Sequence, residues 1–182
     1  MKTRFPLILT ASIAERDREL FDDLRRQHFP PDRNLLKAHL TMFHRLPGEY
    51  REQIVAQITM SASAVRAFEA SVVGIRHLGA GVAFDIDNDA LAAVRAELKS
   101  AFKAWLGPQD MQPWRPHITV QNKVSRVIAD RLYGDLTVDF RPRAIRVIGL
   151  DLWRYLGGPW QHDSFIPFAN DSRVPDGAEN GS

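Results

Sequence analysis

Ala38-His39-Leu40-Thr41-Met42-Phe43 and Pro116-His117-Ile118-Thr119-Val120 decide how this sequence is read. Each is an apolar, strand-forming run that carries the triplet His-x-Thr. Successive side chains of a strand point to opposite faces, so His39 and Thr41 share one face while Leu40 and Met42 take the other. His117 and Thr119 repeat the arrangement against Ile118 and Val120. Such a strand lines a polar cleft on one side and backs onto a core on the other. With six His and six Thr in 182 residues, roughly 0.2 such triplets are expected by chance, so two copies form a pattern.

The residue types suggest a chemistry. Imidazole titrates near neutrality, so one ring can accept a proton while a facing ring donates one. Hydroxyls one strand position along can hydrogen-bond the non-bridging oxygens of a phosphate held between the rings. That set suits phosphodiester chemistry without a metal. Metal binding is the rival use of histidine, but no His-x-His pair or nearby carboxylate completes a ligand set. His44, five positions from His39, falls on the opposite face of a continuous strand. No metal and no cofactor are expected.

The twin motif resembles that of the two-histidine (2H) phosphoesterase superfamily. The run Pro116-His117-Ile118-Thr119-Val120 is most similar to its bacterial 2′-5′ RNA ligase and RNA 2′,3′-cyclic phosphodiesterase branch. The resemblance spans roughly residues 4–168 and implies an α+β fold of two lobes related by a pseudo-two-fold axis. Each lobe would be an antiparallel sheet with helices outside, lending one His-x-Thr strand to a central cleft. It further implies His39 and His117 as acid–base pair, with His117 the base and His39 the acid, and Thr41 and Thr119 as phosphate ligands. The substrate would be an RNA end or nucleotide bearing a 2′,3′-cyclic phosphate, opened to a 2′-phosphate or joined in reverse through a 2′-5′ bond. Another small cyclic phosphoester, or a non-catalytic nucleotide- or RNA-binding module, are the alternative readings.

Composition sets the outer bounds. The chain is 45% hydrophobic and 25% charged, as in ordinary globular proteins. A net charge of +2 gives no basic coat for nucleic acid, so any RNA contact is expected to be local to the cleft. Without cysteine there is no disulfide, zinc-thiolate site or thiol nucleophile. No apolar run approaches the ~20 residues of a membrane span, and the N-terminus lacks a signal-peptide core. A cytoplasmic monomer is expected, with residues 1–170 as one bilobal unit and 171–182 as a disordered tail.

Taken in order, Phe5 to Ile13 predicts a buried strand and Ala14 to His28 a charged helix with Leu20, Phe21 and Leu24 on its apolar side. Pro30-Pro31 ends it, and the first motif strand runs to about Leu46. A helix over 49–63 shows Ile54, Val55 and Ile58 as its stripe. Residues 68–78 and 82–86 form a hairpin around Gly79-Ala80-Gly81. Asp89 is expected to cap a helix reaching about Leu106, before the loop 109–116 and the second motif strand. A short helix over 125–133 precedes a closing strand pair, 143–155 and 161–167.

Around the motifs, Lys37, Arg45, Arg115 and Lys123 are flanking bases. Arg115, anchored between prolines, is the best candidate to pair with phosphate. Trp153 and Tyr155 share a strand face and Phe43 shares that of His39, so these aromatics are candidate platforms for a nucleobase. His28, His77 and His162 show no constellation.

Overall fold

The computed structural model describes residues 3–169; the tail expected at 171–182 lies outside the described residues. β1 (Pro6–Ile13) is buried along nearly its whole length, with Leu7, Leu9, Ala11 and Ile13 in the core and Thr10 and Ser12 buried on the other face. α1 (Glu15–His28) turns Phe21 and Arg25 inward. It ends at Phe29, whose extended backbone (φ −78°, ψ 139°) is the conformation a following proline demands. β2 (Leu40–Pro47) carries the first motif, and α2 (Arg51–Ser63) buries Ile54 and Ile58 while Val55 packs at the edge.

β3 (Phe68–His77) and β4 (Val82–Asp87) form the expected hairpin, with Gly79 at φ +84°, where a side chain would be strained. α3 (Asp89–Ala101) is capped by Asn88, one residue earlier than expected, whose side chain accepts the Leu91 N–H at 2.8 Å. It stops short of Leu106 because residues 102–105 leave the helix and Phe102 and Trp105 stack on each other. α4 (Pro108–Met111) is a single turn in the expected loop. β5 (His117–Gln121) holds the second motif, α5 (Arg126–Val138) runs longer than expected, and β6 (Arg143–Tyr155) and β7 (Trp160–Pro167) close the chain.

The α+β class with antiparallel strands and helical cover is present, but the two separate sheets implied by the resemblance are one. The strand order is β1-β2-β5-β4-β3-β6-β7, and β1 also pairs with β6, so six strands close on themselves. The cause is the length of β6. Its first part pairs with β3 and its second with β7, while its other edge pairs with β1. At Gly149, where β7 takes over, a Cβ would lie 2.4 Å from the Ile166 carbonyl oxygen, so no larger residue fits.

The ring is narrowest between the motif strands. β2 and β5 share one ladder pair, Leu40 opposite Ile118. Both residues are fully buried, and with Met42 and Val120 they enter a core completed by Phe21, Ile54, Leu98 and Leu132 from the helices. The opposite face of the same strands is left for the site.

Candidate active site

The pair Leu40–Ile118 joins the middle residues of the two triplets in antiparallel sense. Continuing that register sets His39 opposite Thr119 and Thr41 opposite His117, around a local two-fold between the strands. All four side chains are half-buried on the face away from the core.

Side chains reinforce this thin seam. The buried Arg25 guanidinium donates to the Thr119 carbonyl at 2.9 Å and to the Leu36 carbonyl at 3.2 Å. Trp114 Nε1 donates to the Thr41 carbonyl at 3.1 Å. Each motif strand therefore has its threonine carbonyl held by a residue that belongs with the other motif's supports, a helix before β2 and a loop before β5.

The two rings are held alike. His39 Nδ1 donates to the Lys37 carbonyl at 2.8 Å, and His117 Nδ1 donates to the Arg115 carbonyl at 2.9 Å. A carbonyl only accepts, so Nδ1 carries the proton in both, which leaves Nε2 as the ring nitrogen able to take up a proton. The shared arrangement is basic–x–His–x–Thr, and it is the backbone carbonyl of the basic residue that acts.

Their surroundings differ. His39 lies 4.6 Å from the Trp160 ring, and burial lowers its pKa to about 4, despite the opposing bond to Lys37; the charges of Arg25, His117 and His44 lower it further. His117 is also lowered, chiefly by burial, and Arg76 adds to this while Asp85 and the Arg115 carbonyl oppose it. Asp85 is the ladder partner of His117 and is ion-paired with Arg76, whose Nη1 also reaches the Arg115 carbonyl at 3.4 Å.

Beside His39 opens a cavity of about 730 Å³. Trp153, Trp160 and His162 wall one side, Thr10 and Ser12 of β1 form its floor, and Lys37 and Leu35 border it. Trp153 Nε1 donates to Thr10 Oγ1 at 2.9 Å, and its ring meets that of His162 edge-on at 4.9 Å. His162 Nε2 bonds Asp151 Oδ1 at 2.8 Å. His117 and Thr119 do not line this cavity.

Three expected contributors are placed otherwise. Phe43 is fully buried, against Phe102 at 5.6 Å and under the Arg95 guanidinium at 3.8 Å. The reason is a β-bulge. The β1–β2 register slips between Leu9 and Thr10, so Met42 and Phe43 both turn inward. Tyr155 stands 40% exposed near the end of β6, outside the cavity, although Trp153 lines it. The Arg115 side chain is exposed, and its carbonyl is what touches His117. Lys123, another of the flanking bases, lies beyond the end of β5 in a left-handed turn (φ +64°).

The same bulge returns His44 to the cleft face, the reverse of the expectation for a continuous strand. Residues 40–47 read buried, half-buried, buried, buried, exposed, exposed, buried, buried. Trp160, Arg25, and the carboxylates Asp85, Asp110 and Asp151 carry no local sequence signal, because each reaches the site from a distant part of the chain. Among the described residues no cluster of three or more His, Asp or Glu is arranged to hold a metal.

Solved structures share this fold. The Thermus thermophilus protein TT0787 superposes with a TM-score of 0.65 at 16% identity, over 91% of this chain and 99% of its own. Escherichia coli LigT complexed with 3′-AMP gives 0.59 at 16% identity, over 90% and 98%. LigT complexed with phosphate gives 0.57 at 17% identity, over 90% and 98%. No curated protein sequence matches the chain. The model of the 2′-5′ RNA ligase superfamily matches residues 11–159, and with both His-x-Thr strands meeting at one seam the chain belongs to this 2H phosphoesterase superfamily.

Proposed function

We propose that the protein is a metal-independent phosphodiesterase that opens 2′,3′-cyclic phosphates at RNA or nucleotide ends to 2′-phosphates. The observation that carries this is the paired locking of His39 and His117 through Nδ1, each opposite the other motif's threonine. One Nε2 takes a proton from water as the water oxygen bonds to phosphorus. The P–O3′ bond breaks, and the other Nε2 gives its proton to the departing ribose oxygen. Thr41 and Thr119 hold the non-bridging oxygens as charge accumulates on them. Joining through a 2′-5′ bond is the same path in reverse.

Burial favours the neutral form of both rings in the free protein, which suits a base but not an acid. The bound phosphate makes up the difference, because its negative charge favours protonation of whichever ring acts as acid. The resemblance gives that role to His39. The cavity beside His39 suits the nucleoside, with a base against Trp153 and Trp160. That LigT shares the fold and has been obtained with 3′-AMP and with phosphate supports a nucleotide ligand.

The test is hydrolysis of 2′,3′-cyclic nucleotides and of a short RNA ending in a cyclic phosphate, in EDTA, followed by ³¹P NMR. Chelator-resistant release of a 2′-phosphate with a bell-shaped pH profile is expected. A strict need for added divalent metal would overturn the mechanism. Failure of well-folded protein to act on either substrate would overturn the substrate.

A further inference from the structure

His44 is a third histidine on the cleft face, and its setting is built. Its side chain is 39% exposed, whereas the carboxylate behind it, Asp110, is 3% exposed. Asp110 accepts from His44 Nδ1 at 2.9 Å, from the His44 backbone N–H at 3.0 and 3.1 Å and from the Arg45 N–H at 3.1 Å. Buried Arg95 fastens the same turn to β2, donating to the carbonyls of Asp110 at 2.8 Å and Met42 at 2.7 Å. A carboxylate brought from α4 thus fixes both the bulge and the ring that follows it.

We propose that His44, positioned by Asp110, is the substrate-binding residue for the phosphate next to the one that reacts, and so favours an RNA end over a mononucleoside. This rests on the proposed function. With Nδ1 committed to Asp110, the ring's remaining polar atom is Nε2, on its far side. Burial alone would raise the Asp110 carboxyl, but the hydrogen bonds from His44 and Arg45 outweigh it and hold it below the usual range. Held by that carboxylate, the ring presents Nε2 to the cleft, where an N–H on that nitrogen would donate to an anion. The position also fits. Thr41 faces the reacting phosphate, and once the bulged pair 42–43 is counted as one step, His44 is the next side chain along that face. His44 also lowers the pKa of His39 and of His117, in each case by less than burial and the other charges named above.

The experiment compares adenosine 2′,3′-cyclic phosphate with its 5′-phosphorylated form, in wild type, His44→Gln and Asp110→Asn. Wild type should prefer the 5′-phosphorylated substrate by about tenfold in KM, the worth of one charge-assisted hydrogen bond. His44→Gln should abolish that preference, through KM for the 5′-phosphorylated substrate and not through kcat. Asp110→Asn should reduce the preference in part. A preference unchanged in His44→Gln, or absent from wild type, would overturn the proposal. If wild type turns over neither substrate, the proposed function fails by itself. Calorimetric binding of adenosine 2′,5′-bisphosphate against adenosine 2′-monophosphate then reads the same tenfold preference in wild type, and its loss in His44→Gln, without chemistry.

Discussion

The two halves of the site are alike in backbone and unlike in surroundings. On both sides a half-buried histidine donates Nδ1 to the carbonyl two residues earlier, with a threonine one strand position along. Around His39 the wall is aromatic, built of Trp153, Trp160 and His162, with a cavity beside it. Around His117 it is ionic, with Asp85 as ladder partner and Arg76 paired to that carboxylate. Under the proposed function, acid–base exchange uses two nitrogens aimed at one phosphate, which a symmetric core suits. Under the same proposal, one side recognises a nucleoside and the other tolerates a leaving or entering group, which an unlike periphery suits. On that proposal, likeness marks the chemistry and difference marks the specificity.

The likeness is broken most severely at the rings. His39→Ala and His117→Ala should each lower kcat by about 10²–10⁴-fold with the fold retained, measured as cyclic phosphate hydrolysis beside circular dichroism. If only one of them matters, the symmetric reading fails. Thr41→Val and Thr119→Val should each cost about 10–10²-fold in kcat and little in KM, because they act on charge that develops during the reaction. Comparable losses would extend the symmetry to the hydroxyls.

The difference is probed by removing the aromatic wall. Trp160→Ala should raise KM for a nucleotide about tenfold and, by admitting water, move the His39 pKa upward from about 4, read by NMR titration. His117, further from that wall, should shift far less.

A smaller effect concerns stability. A histidine whose folded pKa lies below its unfolded value of about 6.5 makes the unfolded chain bind more protons between those values. For His39 that window runs from about 6.5 down to about 4, and stability falls as pH falls through it. The loss should be about 2 kcal/mol, allowing for partial contact with solvent, and His39→Gln should remove it. Urea midpoints at pH 7 and pH 4.5 test this. An equal pH dependence in the two proteins would assign the acid sensitivity to other groups.

Much of the fold is legible in local sequence because periodicity and punctuation are local. The strand at 6–13, the helix ended by Phe29-Pro30, the Gly79 hairpin and the closing strands all follow from side-chain alternation, helical spacing or backbone preference. The motif pair is legible for the same reason, since a strand of period 2 puts His and Thr on one face wherever it is placed. Errors arise where one residue changes the count. The bulge at 42–43 sent Phe43 inward and His44 outward, against alternation, because its cause is pairing with β1 and not anything in β2.

By itself the sequence determined the elements, the two aliphatic backs that enter the core, and the chemical identity of the paired His and Thr. Only the tertiary structure decided that the strands close into one sheet through the long β6, that the motifs meet at Leu40 and Ile118, and that Arg25 and Trp114 brace the seam. It alone surrounded His39 with Trp160 and backed His44 with Asp110. The physical reason is range. Dihedral preference and burial periodicity act within a few residues, whereas an imidazole's protonation and partners depend on groups brought within a few ångströms from anywhere in the chain.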